Sequence, residues 1–381
     1  MRKYVFVFSL PCVFIVLMVL GHTSFYRFGG NEESAYSSPT ASKRSIESVF
    51  CESMLVYLNT TVPILLVDPD LLEKMVNQDC TLLNGKPVKV AVNVKFLAEP
   101  SILEDSRFTV IYYTNGSNKD YLDFRTEPRR IVPRKFNTHR VANVDVPSDI
   151  PQFLEFWKRS KFVECMNLYI PRAGAKVNMK AVPASGALAR LRDELTSHGM
   201  FPFLNGGTLL GWYRECSVIP HTTDMDLAVF SENYRPGFLE SMQRDESRFR
   251  LSRKLGMVND SFELTVAPKE GYTVFIDIFV MYKAEARKGT EAHHWVGGLA
   301  PDGTKYKYSY PVYDPWCAAD LHGHLFWVTC SPNEKLVNEY GKLWYRDHHT
   351  LKYSWSSSGK NVKENGKWTA EQMKSVYNVY G

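Results

Sequence analysis

One segment of the chain limits the possible folds more than any other. Residues 203–230 read FLNGGTLLGWYRECSVIPHTTDMDLAVF. The first of these residues are typical of a strand, and Gly206, Gly207 and Thr208 stand where that strand would turn into a helix. Glycines let a backbone approach a ligand closely, and the free amides of a helix N-terminus, with a threonine hydroxyl, can hold phosphate oxygens. The alternative is that the two glycines only form a turn.

The same segment holds a pair of acids, Asp224 and Asp226, within DMDLAVF. Side chains alternate along a strand, so both carboxylates project from one face while Met225, Leu227 and Val229 point to a core. Neighbouring carboxylates repel each other and resist desolvation, so a hard divalent cation would neutralise them. Magnesium or manganese suits oxygen ligands and a substrate phosphate. The alternative is a strand edge with two acids facing solvent.

A third acid, Asp277, interrupts the apolar segment YTVFIDIFVMY. A buried carboxylate is costly unless it is paired or bound to metal. We expect its strand to lie beside the Asp224 strand, which would bring three catalytic, metal-binding acids together. The alternative is an aspartate hydrogen-bonded to backbone.

Two further residues could belong to the same site. Arg214 could clamp a phosphate or pair with Glu215 at the surface. His221 could contact a donor or only shape its turn.

Length and composition place these motifs in a larger α/β molecule. At 381 residues the chain is long enough for two domains, and 44% hydrophobic residues indicate a globular structure. We expect a smaller α/β domain over residues 51–170, with strands in VPILLVD, VKVAVNVKFL and RFTVIYY and a helix in DLLEKMVN. A catalytic domain would follow over residues 171–381, beginning with a helix in VPASGALARLRDELTSHGM that Ser185 caps and Gly199 ends.

The charge of the chain gives little support to a nucleic-acid partner. The formal net charge of +5 is modest for this length. Basic residues crowd only in RTEPRRIVPRKFNTHR, residues 125–140. The simple interpretation is a solvated linker face, and the alternative is a patch for an anionic donor or glycan.

The N-terminus predicts entry into the secretory pathway. Residues 4–20 are nearly all apolar, and no charged residue stands between Lys3 and Arg27. Such a run can span a bilayer, and the basic residues before it favour a cytosolic tail of residues 1–3. A transmembrane anchor over residues 4–25 and a stem over residues 26–50 would then precede a luminal body. The alternative is a cleaved signal peptide, although the apolar run exceeds the usual length.

Cysteines and glycosylation motifs agree with an oxidising compartment. Of 7 cysteines, Cys12 lies in the apolar run, and the others could form disulfides in any of fifteen pairings. No CxxC pattern occurs, which argues against a zinc site. Acceptor motifs for N-glycosylation begin at Asn59, Asn115 and Asn259.

The order of the motifs resembles the fukutin and LicD-type phosphotransferase family, which has a nucleotidyltransferase-like fold. The family signature GT-LLG-x-x-R, I-P and D-x-D corresponds here to residues 207–211, Arg214, residues 219–220 and residues 224–226. Further similar segments are KLGMVNDSFELT, the IDIF strand and VNEYGKLW, and the resemblance extends over residues 182–380.

The resemblance implies roles for individual residues. It makes Asp224 and Asp226 metal ligands and Asp277 the third acid. It also places donor phosphate against the GGT turn, Gly206, Gly207 and Thr208. Many LicD-type members carry a further acid shortly before D-x-D, where this chain has Thr222 and Thr223.

The resemblance also implies an activity. The expected enzyme is a type II Golgi membrane protein that uses Mg²⁺ or Mn²⁺ to move ribitol 5-phosphate, or another polyol phosphate, from a CDP-linked alcohol to a glycoprotein glycan. A Golgi complex with related transferases is compatible with it. Alternatives are phosphocholine transfer, sugar-nucleotide glycosyl transfer, which the GGT turn and Asp277 disfavour, and a non-catalytic glycan-binding scaffold.

Overall fold

The structure is a computed structural model that describes residues 62–77, 86–97, 106–172, 176–312 and 316–380, with part of 51–58. These residues lie in one compact unit, Arg44–Gly381. The expected tail, anchor and stem fall outside the described residues, as do Asn59 and Cys80, and the predictions made for them stay predictions. Across the described ranges, no helix is long and apolar enough to cross a membrane.

The N-terminal part of the chain forms a seven-stranded sheet. Its strands are β1 (Ile64–Leu66), β2 (Val88–Asn93), β3 (Phe108–Thr114), β4 (Tyr121–Phe124), β5 (Arg130–Pro133), β6 (Thr138–Val141) and β7 (Val144–Pro147). They lie in the order β5-β4-β3-β2-β1-β7-β6. Helices α1 (Pro69–Asn77) and α2 (Ile150–Lys158) pack against each other. The strands and the helix expected in this region are confirmed.

The C-terminal part forms an eleven-stranded sheet. Its strands are β8 (Phe203–Leu204), β9 (Asp224–Phe230), β10 (Phe249–Met257), β11 (Asp260–Pro268), β12 (Phe275–Ala284), β13 (His293–Leu299), β14 (Thr304–Pro311), β15 (Trp316–Leu321), β16 (His324–Thr329), β17 (Val362–Lys367) and β18 (Tyr377–Val379). The main order is β15-β16-β8-β9-β12-β11-β10-β18, while β13 pairs with β12 and β14, and β17 with β14. Strands β9 and β12 are parallel, whereas most neighbours are antiparallel. The sheet is therefore mixed, as expected.

Helices accompany the second sheet. They are α3 (Ala181–Ser197), α4 (Gly206–Glu215), α5 (Gly237–Met242), α6 (Pro332–Tyr340) and α7 (Ala370–Val376). The mixed α/β class predicted from the sequence is confirmed. Both predicted sequons in the described part of the chain, Asn115 and Asn259, have exposed asparagines, and their glycosylation stays a prediction.

Helix α3 differs from its prediction at one end. The helix begins four residues before Ser185, whose hydroxyl donates to the Ala181 carbonyl at 2.9 Å, so the expectation that Ser185 caps it is wrong. An intrahelical bond of this kind satisfies the hydroxyl without a cap. The expected C-terminal signal is confirmed, because the helix ends at Ser197 and Gly199 follows with a φ of +73°.

Aromatic packing and a partly buried ion pair join the two sheets. Phe156 of α2 stacks on Trp327 of β16 with ring centroids 5.8 Å apart. Asp120, just before β4, accepts from Arg192 of α3 at 3.0 Å and from the Leu325 amide at 2.8 Å. Burial of large aromatic surface and satisfied charges stabilise this contact.

Two disulfides fix the surroundings of the second sheet. Cys165–Cys216 ties the segment after α2 to the end of α4, and Cys317–Cys330 links β15 to the residue after β16. Cys51 is also disulfide-bonded. The prediction that the cysteines of the body form disulfides is confirmed for these residues.

The basic segment of residues 125–140 is largely used for internal contacts. Arg129 forms two hydrogen bonds to Asp123, at 2.9 and 2.8 Å. Arg130 donates to the Trp157 carbonyl and the Ser160 hydroxyl. These two arginines are therefore committed to structure, which disfavours an anion-binding patch at their positions. Residues 130–133 and 138–141 form β5 and β6, so the expectation of a solvated linker is wrong.

Candidate active site

The glycine turn lies where the sequence predicts it, between β8 and α4. Gly206 has a φ of +47°, in the left-handed region, and it starts the helix. A Cβ at this position would lie 2.9 Å from Asp226 Oδ2, whereas one at Gly207 would lie 3.5 Å from the same atom. Only glycine combines this backbone with so close an approach to the carboxylate. The first amides of α4 therefore begin directly beside Asp226.

Thr208 holds Asp226 in place. The Asp226 amide donates to Thr208 Oγ1 at 2.7 Å, and the Thr208 amide donates to Asp226 Oδ2 at 3.2 Å. Both groups of Thr208 are thus engaged with the aspartate, and the residue does not line the cavity described below. This geometry gives Thr208 a positioning role, and the expected contact with donor phosphate stays a prediction.

Sheet register brings the predicted acids together. In the parallel pair of β9 and β12, Asp226 lies opposite Asp277 and Asp224 opposite Phe275. Residues opposite each other in a sheet share a face, so the three carboxylates project from the same side. Met225 is fully buried on the other face. The expectations that the two strands are neighbours and that the two acids of β9 share a face are confirmed.

The three carboxylates begin a charged row on this face of the sheet. The row continues onto β11 and β10 with residues that the sequence analysis missed. Thr265 of β11 lies opposite Asp277, and Arg253 of β10 lies opposite Thr265. Arg253 donates to Glu263 Oε1 at 2.9 Å and lies 3.6 Å from Asp277 Oδ1. Glu263 interrupts the apolar segment SFELTVAP as Asp277 interrupts its own, so the same signal could have found it.

Burial and mutual repulsion raise the pKa of these acids. Desolvation, then the charges of Asp224 and Asp277, raise the pKa of Asp226 well above its usual range. Desolvation raises the pKa of Asp277 to about 6, although the Thr265 hydroxyl opposes the shift. The pKa of Glu263 rises to about 8, because desolvation and Asp277 outweigh Arg253. Raised values at several adjacent acids in a cleft are typical of functional sites.

A single large cavity contains the acids and the turn. Its volume is about 820 Å³. From the predicted site it is lined by Asp224, Asp226, Asp277, Gly206, Gly207, Arg214 and His221. Its aromatic wall consists of Tyr308, Tyr310, Tyr340, Tyr353, Trp344 and Trp355. A cleft with a charged floor and aromatic walls is suited to an organic phosphate.

Arg214 lines the cavity, but its guanidinium is already engaged in hydrogen bonds to protein groups. The residue is 1% exposed, and its guanidinium donates to Glu215 Oε1 at 2.9 Å and to the Arg346 carbonyl at 3.0 Å. Arg172 forms a two-pronged pair with the same Glu215, at 2.6 and 2.7 Å, and bonds Asp347 at 2.8 Å. The alternative pairing with Glu215 is therefore present, although the pair is buried. The expected phosphate clamp stays a prediction.

His221 belongs to the same hydrogen-bond network. Its Nδ1 lies 2.8 Å from Thr350 Oγ1, and its Nε2 lies 3.3 Å from Asp347 Oδ1. The ring stacks on His349 with centroids 4.6 Å apart. His221 therefore fixes the segment of residues 347–350, and its side chain lines the cavity as well.

The oxygen atoms available here suit a divalent cation. Within the described ranges, no three metal-ligating side chains converge closely enough to hold an ion by themselves. Mg²⁺ commonly takes only one or two carboxylates and completes its shell with substrate phosphate and water. Asp224, Asp226 and Asp277 supply such carboxylates. At the family's further acidic position, Thr222 instead donates to Asp224 Oδ1 at 3.2 Å.

Comparison with known proteins divides the chain into two matched regions. The family described as "W02B3.4-like, N-terminal domain" matches residues 50–164, and "LicD/FKTN/FKRP, nucleotidyltransferase domain" matches residues 199–330. Two Caenorhabditis elegans proteins, "Uncharacterized protein W02B3.4" and "Uncharacterized protein T07A5.1", are 60% and 44% identical to the whole chain over 100% and 99% of their own lengths.

Mammalian proteins match over a shorter span. The mouse "Ribitol-5-phosphate transferase FKTN" is 32% identical over 62% of this chain. The macaque protein of the same name is 30% identical over 71% of the chain. The matched span is 50% of the mouse protein and 62% of the macaque protein.

Proposed function

The chain is a fukutin-like member of the LicD/FKTN/FKRP family, and from this membership we propose that it transfers a polyol phosphate from a CDP-linked alcohol to a glycoprotein glycan. Ribitol 5-phosphate is the proposed group. One observation carries the proposal: the register of β9 and β12 sets Asp226 beside Asp277 in the cavity that the Gly206–Gly207 turn lines.

The site supports phosphoryl transfer by positioning and charge. The free amides at the start of α4 are available to phosphate oxygens, since Gly206 and Gly207 line the cavity. Asp224, Asp226 and Asp277 would hold Mg²⁺ or Mn²⁺, which would neutralise the charge that develops on the pyrophosphate. Thr208 positions Asp226 through hydrogen bonds of its amide and its hydroxyl.

The acceptor must lose a proton when its hydroxyl attacks phosphorus. A carboxylate with a raised pKa is a stronger base than an exposed one, and proton transfer is efficient when that pKa lies near the working pH. In the metal-free protein Asp277 has a pKa of about 6 and is largely ionised at neutral pH, so it would accept this proton only where it is not committed to the cation. Arg253 keeps a positive charge 3.6 Å from it.

Location in the cell is part of the proposal. We infer a Golgi membrane protein with a luminal catalytic region, anchored by residues 4–25, and a complex with related transferases is compatible with this arrangement. Two observations support a luminal body: the disulfides Cys165–Cys216 and Cys317–Cys330 persist in oxidising compartments.

Phosphocholine transfer is the second candidate. The aromatic wall of the cavity, with Tyr308, Tyr340 and Trp355 among its members, favours it because aromatic faces bind quaternary ammonium groups. The same rings also pack on the carbon chain of a polyol. The donor must therefore be distinguished by experiment.

The test is release of CMP by the full-length protein from CDP-ribitol, CDP-glycerol and CDP-choline, with manganese and a phosphorylated glycopeptide. We expect acceptor-dependent release from CDP-ribitol, loss with EDTA, and a loss of about 100-fold or more in Asp226→Ala. Asp245→Ala, in an exposed loop, is the matched control. Glycopeptide binding without turnover of any donor would instead favour the scaffold alternative.

A further inference from the structure

Helix α6 places a carboxylate in the cavity that the proposed mechanism does not use. Glu339 is 5% exposed and lines the cavity near its aromatic wall. It lies beyond residue 330, where the match to the nucleotidyltransferase family ends. The charge of Glu339 also contributes to the raised pKa of Asp226, so the two carboxylates belong to the same site.

One oxygen of Glu339 lacks a hydrogen-bond partner. Its Oε2 is buried and unsatisfied among the described residues, although polar atoms of other cavity acids are bonded to protein groups. A buried polar atom without a partner costs about 1–3 kcal/mol, and more when it is charged. An ionised carboxylate only accepts hydrogen bonds, so the missing partner must carry an O–H or N–H group.

A buried lysine compensates the charge of Glu339. Lys335 precedes it by one helical turn, is 1% exposed and donates to Asn205 Oδ1. Its ammonium lies 4.7 Å from the Tyr310 ring centroid. Lys335 and Glu339 attract each other, while burial lowers the pKa of Lys335 to about 8 and raises that of Glu339. The positive charge of Lys335 and the negative charge of Glu339 thus largely cancel.

We propose that Glu339 is a specificity-determining residue that accepts a hydrogen bond from a hydroxyl group of the substrate. The proposal rests on the proposed phosphotransferase function. The hydroxyl belongs either to the polyol of the donor or to the sugar of the acceptor, because both present O–H groups to a carboxylate. The hydroxyls of Tyr310 and Tyr340 interact with the same carboxylate and oppose the rise in its pKa, so the oxygen that remains for a substrate hydroxyl is Oε2. Both tyrosines also line the cavity.

This chemistry selects an alcohol over a choline group. A quaternary ammonium has no N–H or O–H, so it cannot satisfy Oε2, and Lys335 already supplies the opposite charge. A carboxylate that accepts from a substrate hydroxyl discriminates against an analogue without that hydroxyl, because the oxygen would remain unpaired. Glu339 therefore favours polyol or sugar ligands.

The test measures binding by the full-length protein with calorimetry. The ligands are CDP, CDP-ribitol, CDP-choline and a phosphorylated glycopeptide, and the variants are Glu339→Gln and Glu339→Ala. Glu334→Gln, an exposed acid on the same helix, is the matched control. Affinity for CDP shows that each variant retains a folded site.

Two results would support the inference. If the hydroxyl belongs to the donor, Glu339→Gln and Glu339→Ala weaken CDP-ribitol binding by about tenfold or more, without changing the affinity for CDP. If it belongs to the acceptor, the same loss appears in the Kd of the glycopeptide and not in that of CDP-ribitol. Glu334→Gln changes neither.

Other results would overturn it. Unchanged affinities for both CDP-ribitol and the glycopeptide, with CDP still bound, would refute the role of Glu339 and leave the proposed function intact. An equal loss for CDP, CDP-choline and CDP-ribitol would mean that the side chain only shapes the cavity. A wild-type protein that binds neither CDP compounds nor glycopeptide would refute the proposed function together with this inference.

Discussion

Replacement of Gly206 by alanine tests the contact between the glycine turn and the Asp226 carboxylate. The new Cβ would lie 2.9 Å from Asp226 Oδ2 and 3.1 Å from its Cγ, and the backbone φ of +47° penalises any side chain. The left-handed backbone alone costs about 1–2 kcal/mol. Asp226 can move away only by weakening its bonds to Thr208, which adds about 1 kcal/mol. We expect a total loss of about 2–3 kcal/mol.

Gly207 provides the matched control one residue later. A Cβ there would lie 3.5 Å from the same oxygen, an ordinary contact, and its φ is not in the left-handed region. Alanine at a compatible helical position stabilises a protein by about 0.4–1 kcal/mol. Guanidinium denaturation followed by tryptophan fluorescence measures both variants. If Gly206→Ala and Gly207→Ala have free energies of unfolding within about 0.5 kcal/mol of each other, the reasoning is wrong.

Further predictions concern the charged row. Asp277 and Glu263 have folded-state pKa values of about 6 and about 8, above those of unfolded chains, so the folded protein binds more protons. In EDTA, the free energy of unfolding should therefore fall as pH rises from about 4 to about 8, by about 3 kcal/mol from Asp277 alone; a rise would contradict this sign. Arg253→Met should lose about 2 kcal/mol at pH 8 and less at pH 5, where the carboxylates are protonated. Arg250→Met, at an exposed position of the same strand, is the control and should change the free energy of unfolding by less than about 0.5 kcal/mol. If Arg253→Met lowers the free energy of unfolding equally at pH 5 and pH 8, the cause is not electrostatic.

The predictable part of the site rests on local patterns. Alternation in DMDLAVF determines the shared face of Asp224 and Asp226, because side chains in a strand point to opposite sides in turn. An acid within an apolar strand has few stable environments, so Asp277 was correctly expected near other functional groups. The turn at Gly206 also follows from local chemistry, since a strand that enters a helix through two glycines leaves free amides.

The remaining residues depend on contacts that are distant in sequence. Arg253 faces the acids because a register shift between Leu251 and Arg253 resets the alternation of β10, and no local pattern predicts that shift. Arg214 is held by the Arg346 carbonyl, far along the chain, so its burial could not be anticipated. Glu339 lies on a helix with several charged residues, which a sequence pattern places in solvent.

The charge balance of the cavity connects stability with activity. Arg253 offsets part of the charge on Asp277 and Glu263, but among the described residues no ion pair involves Asp224 or Asp226. Buried like charges without a counterion raise the free energy of the folded protein, and a bound cation would remove that penalty by binding only the folded state. The carboxylates that destabilise the metal-free protein are therefore the same groups from which the proposed cation would gain its binding energy. Substitutions that relieve this repulsion, such as Asp226→Asn, should raise the melting temperature of the metal-free protein while they abolish transfer.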